Sequence, residues 1–239
     1  MDAVRRHRLD HIAEHVEAQY RRSAVQINWD PVFTARYRWE HTQRVAHYGD
    51  LIAKAEGHDR ELCMAACLLH DIAYFHCGEE EDWREHGRIG AELSRPVLAD
   101  AGFSREESDT IRYAIAIHVD GKAGFSHPPT PVADVVSDAD NVDRFSAVRV
   151  VLWCMTERDD LQKMAIMLGQ RVERLRTYRE RSPLKTATGQ RLFAEQVDLQ
   201  IAFFEAIIGD AAITRLPRRE KEPLLADELV PDLRDRAAR

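Results

Sequence analysis

Apolar positions along this chain recur at helical spacing, and the sustained period-two alternation of half-buried strands scarcely occurs. Between punctuating Gly and Pro residues the sequence is dominated by Ala, Leu, Glu and Arg, so the pattern predicts an all-α fold. A first helix is predicted over Asp2–Arg22, and Asp30-Pro31 offers a further start, an N-cap followed by proline at the first helical position. His41–Glu56 reads as a helix with Val45, Tyr48 and Ile52 on one face, ended by Gly57. Arg60–Tyr74 is apolar nearly all round from Leu62 to Leu69, as a buried central helix would be.

Glu85–Ala101 is predicted as the next helix with Gly102 at its C-cap, and Ser104-x-x-Glu107 supplies a capping box for one ending near His118. Val119–Pro129 holds Gly121, Gly124, Pro128 and Pro129 and reads as a loop lying beside any site that contains His118. Thr130-Pro131 restarts a helix through Val132, Val135 and Val136, continued by Asp138–Arg144. Two or more helices are expected within Val148–Gly209, a C-terminal helical extension. Leu216–Arg239 is charged and broken by prolines, a tail rather than part of the core.

The 239 residues suffice for a full core, read as one domain over 1–215 followed by the 216–239 tail. A net charge of -7 and a pI near 5.9 argue against a nucleic acid polymer held on a broad cationic face. Small phosphorylated substrates stay open, because a bound divalent metal supplies positive charge locally. The N-terminus lacks the apolar region of a signal peptide, and no apolar run could cross a bilayer, so a soluble cytoplasmic protein with no membrane association is expected. Cys63, Cys67, Cys77 and Cys154 form no C-x-x-C pair and read as small core residues in a reducing compartment. His7, His11 and His15 recur one turn apart among Arg and Glu, as on an exposed face.

Chemistry gathers elsewhere. His41 opens one helix, His70-Asp71 ends the buried one, and Asp140 lies in the string Asp138-Ala139-Asp140-Asn141-Val142-Asp143. Imidazole nitrogen and carboxylate oxygen together suit Mn, Fe, Co, Ni or Zn. Consecutive helical residues point about 100° apart, so a His-Asp pair shares an ion only where the helix end faces a pocket. Two ionisable groups closing a buried helix otherwise cost several kcal/mol unless paired, and a metal supplies the pairing.

The order His41, His70-Asp71, Asp140 resembles the H…HD…D signature of the HD superfamily of metal-dependent phosphohydrolases. The likeness spans about Arg38 to Phe145, and Leu68-Leu69-His70-Asp71-Ile72 and the acidic string resemble that family's local sequence. Within the superfamily the chain is most similar to small bacterial proteins related to nucleoside triphosphate pyrophosphohydrolases. There, stretches like His86-Gly87-Arg88-Ile89-Gly90-Ala91 and Ala114-Ile115-Ala116-Ile117-His118 separate the HD pair from the acidic string. The resemblance implies an HD-domain helical bundle with His41, His70, Asp71 and Asp140 as ligands of one metal. His86 and His118 either hold a second metal, with Asp71 bridging the two ions, or bind substrate phosphate or line the pocket as hydrogen-bonding residues. Asp143 would orient a ligand histidine or cap locally.

One departure stands out. Many HD proteins carry Gly and Lys after the pair, where this chain has Ile72-Ala73-Tyr74-Phe75-His76. Arg44, Arg88, Lys122 and Arg144 are the candidate substrate-binding cations, each equally readable as a solvated or salt-bridged residue. The implied reaction is hydrolysis of a phosphate ester or anhydride of a small nucleotide by metal-activated water, with Asp71 or His118 moving the proton. Two other functions fit the same ligands: a di-iron oxygenase of the HD fold, and a nucleotide-binding regulatory module that retains metal without turnover. Apolar residues after Val148, such as Leu152, Trp153, Phe193, Phe203 and Phe204, could serve a homodimer face or a monomer core.

Overall fold

Helix boundaries fall where the sequence supplies caps. The computed structural model describes residues 1–23, 34–76, 83–156 and 160–214, and among these there are helices and no strand. Helix α1 spans Ala3–Ser23. Thr34 accepts a hydrogen bond from the Tyr37 N–H to start α2 (Ala35–Glu56), which Gly57 ends at a φ of 75°. This helix begins earlier than the predicted His41, because Thr34 is the effective cap. The Asp30-Pro31 start lies outside the described residues, as do Cys77 and the tail from Leu216 onward.

Asp59 accepts from the Glu61 and Leu62 N–H groups to cap α3 (Arg60–Leu69). The predicted helix over Arg60–Tyr74 is thus shorter. The chain turns at His70–Ala73 and tightens into a 3₁₀ turn at Tyr74–His76. That turn frees His70 and Asp71 from the helical register just where the central helix runs out.

Helix α4 (His86–Asp100) ends in a Schellman arrangement: Gly102 sits at a φ of 80°, and the Phe103 N–H reaches the Leu98 carbonyl at 3.0 Å. Ser104 and Glu107 form the expected capping box of α5 (Arg105–Ile117). Thr130 and Pro131 open α6 (Pro131–Arg144). Then come α7 (Ala147–Thr156), α8 (Leu161–Glu180) and α9 (Ala187–Ile213), the last two begun by side-chain caps from Asp160 and Thr186.

Two apolar clusters form the interior. The larger joins α1 to α6 and includes Ile12, Ile52, Leu69, Leu98, Ile111 and Ile115. The smaller gathers Val142, Leu168, Leu175, Phe193 and Phe204 from α6, α8 and α9. Phe193 and Phe204 therefore serve the monomer core, whereas Phe203 is 48% exposed. Helix α6 belongs to both clusters and is the wall between them. Asp138 ties α6 to the start of α9, accepting hydrogen bonds from the Lys185 and Thr186 backbone and from the Thr186 hydroxyl. Cys63 and Cys67 are buried free thiols in the larger core.

Candidate metal centre

Six side chains reach one point from five places in the fold. His41 lies in the second turn of α2, His70 caps the end of α3, and Asp71 begins the turn after it. His86 is the first residue of α4, His118 caps the end of α5, and Asp140 projects from α6. The helix ends converge because α4 and α5 approach very closely. A Cβ on Gly87 would lie 2.7 Å from the Ala116 carbonyl oxygen and 3.0 Å from that of Ile115. Only glycine at position 87 lets His86 come up beside His118.

The six divide into two sets around Asp71. Its Oδ2 lies 3.4 Å from His41 Nε2 and 3.3 Å from His70 Nε2, and Asp140 Oδ1 lies 3.4 and 4.0 Å from the same nitrogens. Its Oδ1 lies 3.2 Å from His86 Nε2 and 3.7 Å from His118 Nε2. Within each set the two Nε2 atoms are 3.2 Å apart. His41, His70, His86 and Asp71 are all but fully buried.

What lies behind the rings decides what the Nε2 atoms can do. His70 Nδ1 is 2.7 Å from the Cys67 carbonyl, His86 Nδ1 2.5 Å from that of Trp83, and His118 Nδ1 2.6 Å from that of Ile115. A carbonyl oxygen only accepts, so each Nδ1 carries the hydrogen and each Nε2 faces inward, where it can hold a metal or a proton. His41 Nδ1 donates in the same way to Asp143 Oδ2 at 2.6 Å. Asp143 is itself held by the Arg44 Nε at 2.5 Å. Pairs of inward lone pairs 3.2 Å apart repel unless a cation or a proton sits between them, and a buried carboxylate flanking both pairs raises the need for positive charge. The donor set thus fits one divalent ion on each side of Asp71, of the N/O-preferring transition series.

The electrostatics carry the same demand. Burial opposes charge on His70, but Asp71, with Asp140 behind it, overrides burial and holds its pKa up at about 9. Burial works against ionised Asp71 too, yet His70 and Arg38 keep its carboxyl well below the usual range. Burial of Asp140 is outweighed by His41, His70 and Arg144, so its pKa falls as well. Burial lowers the pKa of His118 despite its contact with Asp71, which leaves the ring neutral near pH 7.

A cavity of about 120 Å³ opens onto this cluster. Its wall includes Arg38, Tyr74, Trp83, Arg144 and Arg149. Among the four candidate cations from the sequence, Arg144 is on this wall, and Arg44 is engaged with Asp143. Arg88 is ion-paired with Glu85 and Asp120 and donates to the Lys122 carbonyl, and Lys122 lies on the exposed loop. The cation not singled out in the sequence is Arg38. It donates to Asp71 Oδ2 at 2.5 Å, and its guanidinium lies 3.4 Å from the Tyr74 ring centroid. Its spacing of three before His41 puts both on one face of α2, and that was the available signal. His7, His11 and His15 lie on α1, away from the cluster, exposed or half-buried.

Residues 38–144 match the family described as the HD domain. No curated protein matches the chain. Among solved structures, a predicted HD superfamily hydrolase from an uncultured Thermotogales bacterium is 20% identical with a TM-score of 0.58, over 82% of this chain and 91% of that one. YpgQ of Bacillus subtilis, solved in complex with ADP, is 18% identical with a TM-score of 0.60, over 87% and 96%. An HD-superfamily hydrolase from Bacillus thuringiensis is 17% identical with a TM-score of 0.62, over 86% and 97%. At these identities the likeness is one of fold, and it reaches well beyond the family match. Over residues 38–144 the chain is similar to the HD domain, and its likeness in fold to these solved structures takes in the flanking helices as well.

Proposed function

We propose that this chain is a metal-dependent phosphohydrolase acting on a small nucleotide, with donor sets on either side of Asp71 that would hold its divalent metal. The observation that carries the reading is the division of the Asp71 carboxylate, each oxygen facing its own pair of inward-turned histidine nitrogens. Divalent ions so held lower the pKa of water from about 15.7 toward 7 and polarise a phosphoryl oxygen.

The chain's own groups do the rest. His41, His70, Asp71 and Asp140 would hold one ion, and Asp71, His86 and His118 would hold a second. Asp143 and three backbone carbonyls fix the ring tautomers, so the ligands need not reorganise. Arg144 and Arg149, on the cavity wall, face the phosphoryl charge in place of the lysine that other HD proteins carry after the pair. His118, neutral and at the cavity, is suited to take a proton from the attacking water, with Asp71 the other candidate. The ADP seen in YpgQ, which shares the fold, supports a nucleotide as the substrate.

The test is release of phosphate or pyrophosphate from a panel of nucleotides, in anaerobic buffer with Mn, Fe, Co, Ni, Mg and Zn in turn. Turnover with at least one nucleotide class is expected, and Asp71→Ala should abolish turnover and metal content together. Two bound irons with oxygen consumption and no phosphate release would instead favour the oxygenase. Nucleotide binding with no product under any ion would leave a regulatory module.

A further inference from the structure

The carboxylate of Asp71 faces two ways at once, each oxygen toward its own histidine pair, and the histidines themselves do not fix it there. Metal ligation requires neutral rings, and each Nδ1–H is already given to a backbone carbonyl or to Asp143. As ligands the four rings have no hydrogen left to offer Asp71. The residue lies in the turn after α3, beyond the last helical position at Leu69, so no helix packing sets its side chain either. Among the described residues, the one side chain other than a histidine that is bonded to this carboxylate is Arg38, whose Nη1 donates to Oδ2 at 2.5 Å.

Three contacts close on one another at that point. The Tyr74 N–H donates to the Asp71 carbonyl at 2.8 Å, the Tyr74 ring centroid lies 3.4 Å from the Arg38 guanidinium, and the guanidinium returns to Asp71. Arg38 is 5% exposed, and its Nε is buried with no hydrogen-bond partner. An arginine that served only as a countercharge would keep its N–H groups wet or paired. Here one donor goes unmet while the planar group lies against a ring and points another N–H at a single oxygen. Arg38 stands three residues before His41 on α2, so one helix face brings both a ligand of the first set and the group that aims the carboxylate shared by the two sets.

We propose that Arg38 is a positioning residue: its guanidinium, held by Tyr74, sets the plane of the Asp71 carboxylate so that Oδ2 faces His41 and His70 while Oδ1 faces His86 and His118. This rests on the reading of the cluster as a metal centre and concerns the ion, not the substrate. Charge alone gives the opposite sign. A cation beside the ligands repels a divalent ion, so a mere countercharge would bind metal more tightly once removed. An aiming group, once removed, leaves metal bound more weakly.

The test is the cobalt affinity of the full chain, measured by competition with a chelator and without substrate. Arg38→Ala is expected to lower it by about 10–100-fold, as loss of a partner behind a metal ligand does. Millimolar guanidinium, which can enter from the cavity that Arg38 lines, should restore most of the loss, and ammonium at the same concentration should not. Tyr74→Leu keeps the charge and the donor but removes the ring that holds them, and should give a smaller loss in the same direction; it decides the matter alone if Arg38→Ala does not fold. Cobalt affinity unchanged or raised in either variant overturns the proposal. So does a loss in Arg38→Ala that ammonium reverses as well as guanidinium, or that guanidinium leaves in place. A parent chain that binds no cobalt contradicts the metal reading and this proposal with it, whereas one that binds cobalt but releases no phosphate from any nucleotide contradicts the hydrolase reading alone.

Discussion

At Asp143 the consequence of position outruns that of chemistry. The acidic string places three carboxylates within six residues, and each does something different. Asp138 clamps the start of α9, Asp140 faces the His41–His70 pair, and Asp143 accepts the His41 Nδ1–H while Arg44 holds it in place. Asp143→Ala removes no ligand but frees the His41 ring, and metal affinity is expected to fall by about 10–100-fold, read by competition with a chelator. His70 gives the pH dependence. Without an ion its pKa is held at about 9, above the ordinary 6.5, so below about 9 a proton occupies the place an ion would take. Metal affinity should accordingly rise with pH up to about 9, and uptake near pH 7 should release about one proton, measurable by calorimetry in buffers of different ionisation enthalpy.

Among the elements, the ends matter more than the middles. The closure of α4 on α5 depends on Gly87, where a Cβ would meet two backbone carbonyl oxygens that cannot swing away. One of them belongs to Ile115, which also accepts the His118 Nδ1–H. Gly87→Ala should cost about 1–3 kcal/mol of stability by overpacking and weaken the His86–His118 site more than the His41–His70 site. Denaturant melts and metal counts on the same variant check both. The caps at Gly57, Gly102, Ser104 and Thr130 were legible from the sequence because capping is local chemistry. The break after Leu69 was not. Apolar periodicity continues through Ile72 and Ala73, and only the tertiary pocket requires the chain to turn there. Arg149 escaped notice for a related reason: it reaches the cavity through packing between elements far apart in sequence, and it sits in no motif.

At the scale of the whole molecule, the metal cluster lies where α6 separates two cores, with its histidines rooted in the larger one. A second cavity, lined by Arg144 and Arg149 as the first is, lies against α8. The all-α class and the His/Asp signature could be read from periodicity and spacing, since both are written in short stretches. The cavity beside the cluster depends on helices after Val148 whose placement no local pattern dictates. The proposed reading turns first on whether the two donor sets flanking Asp71 would each hold an ion. Elemental analysis of the full chain, purified without chelator from cells supplied with Mn, Fe, Co, Ni and Zn, tests it most directly. Two transition-metal ions per chain, falling to one in His86→Ala, is the expected result; a chain that carries no such ion would contradict it.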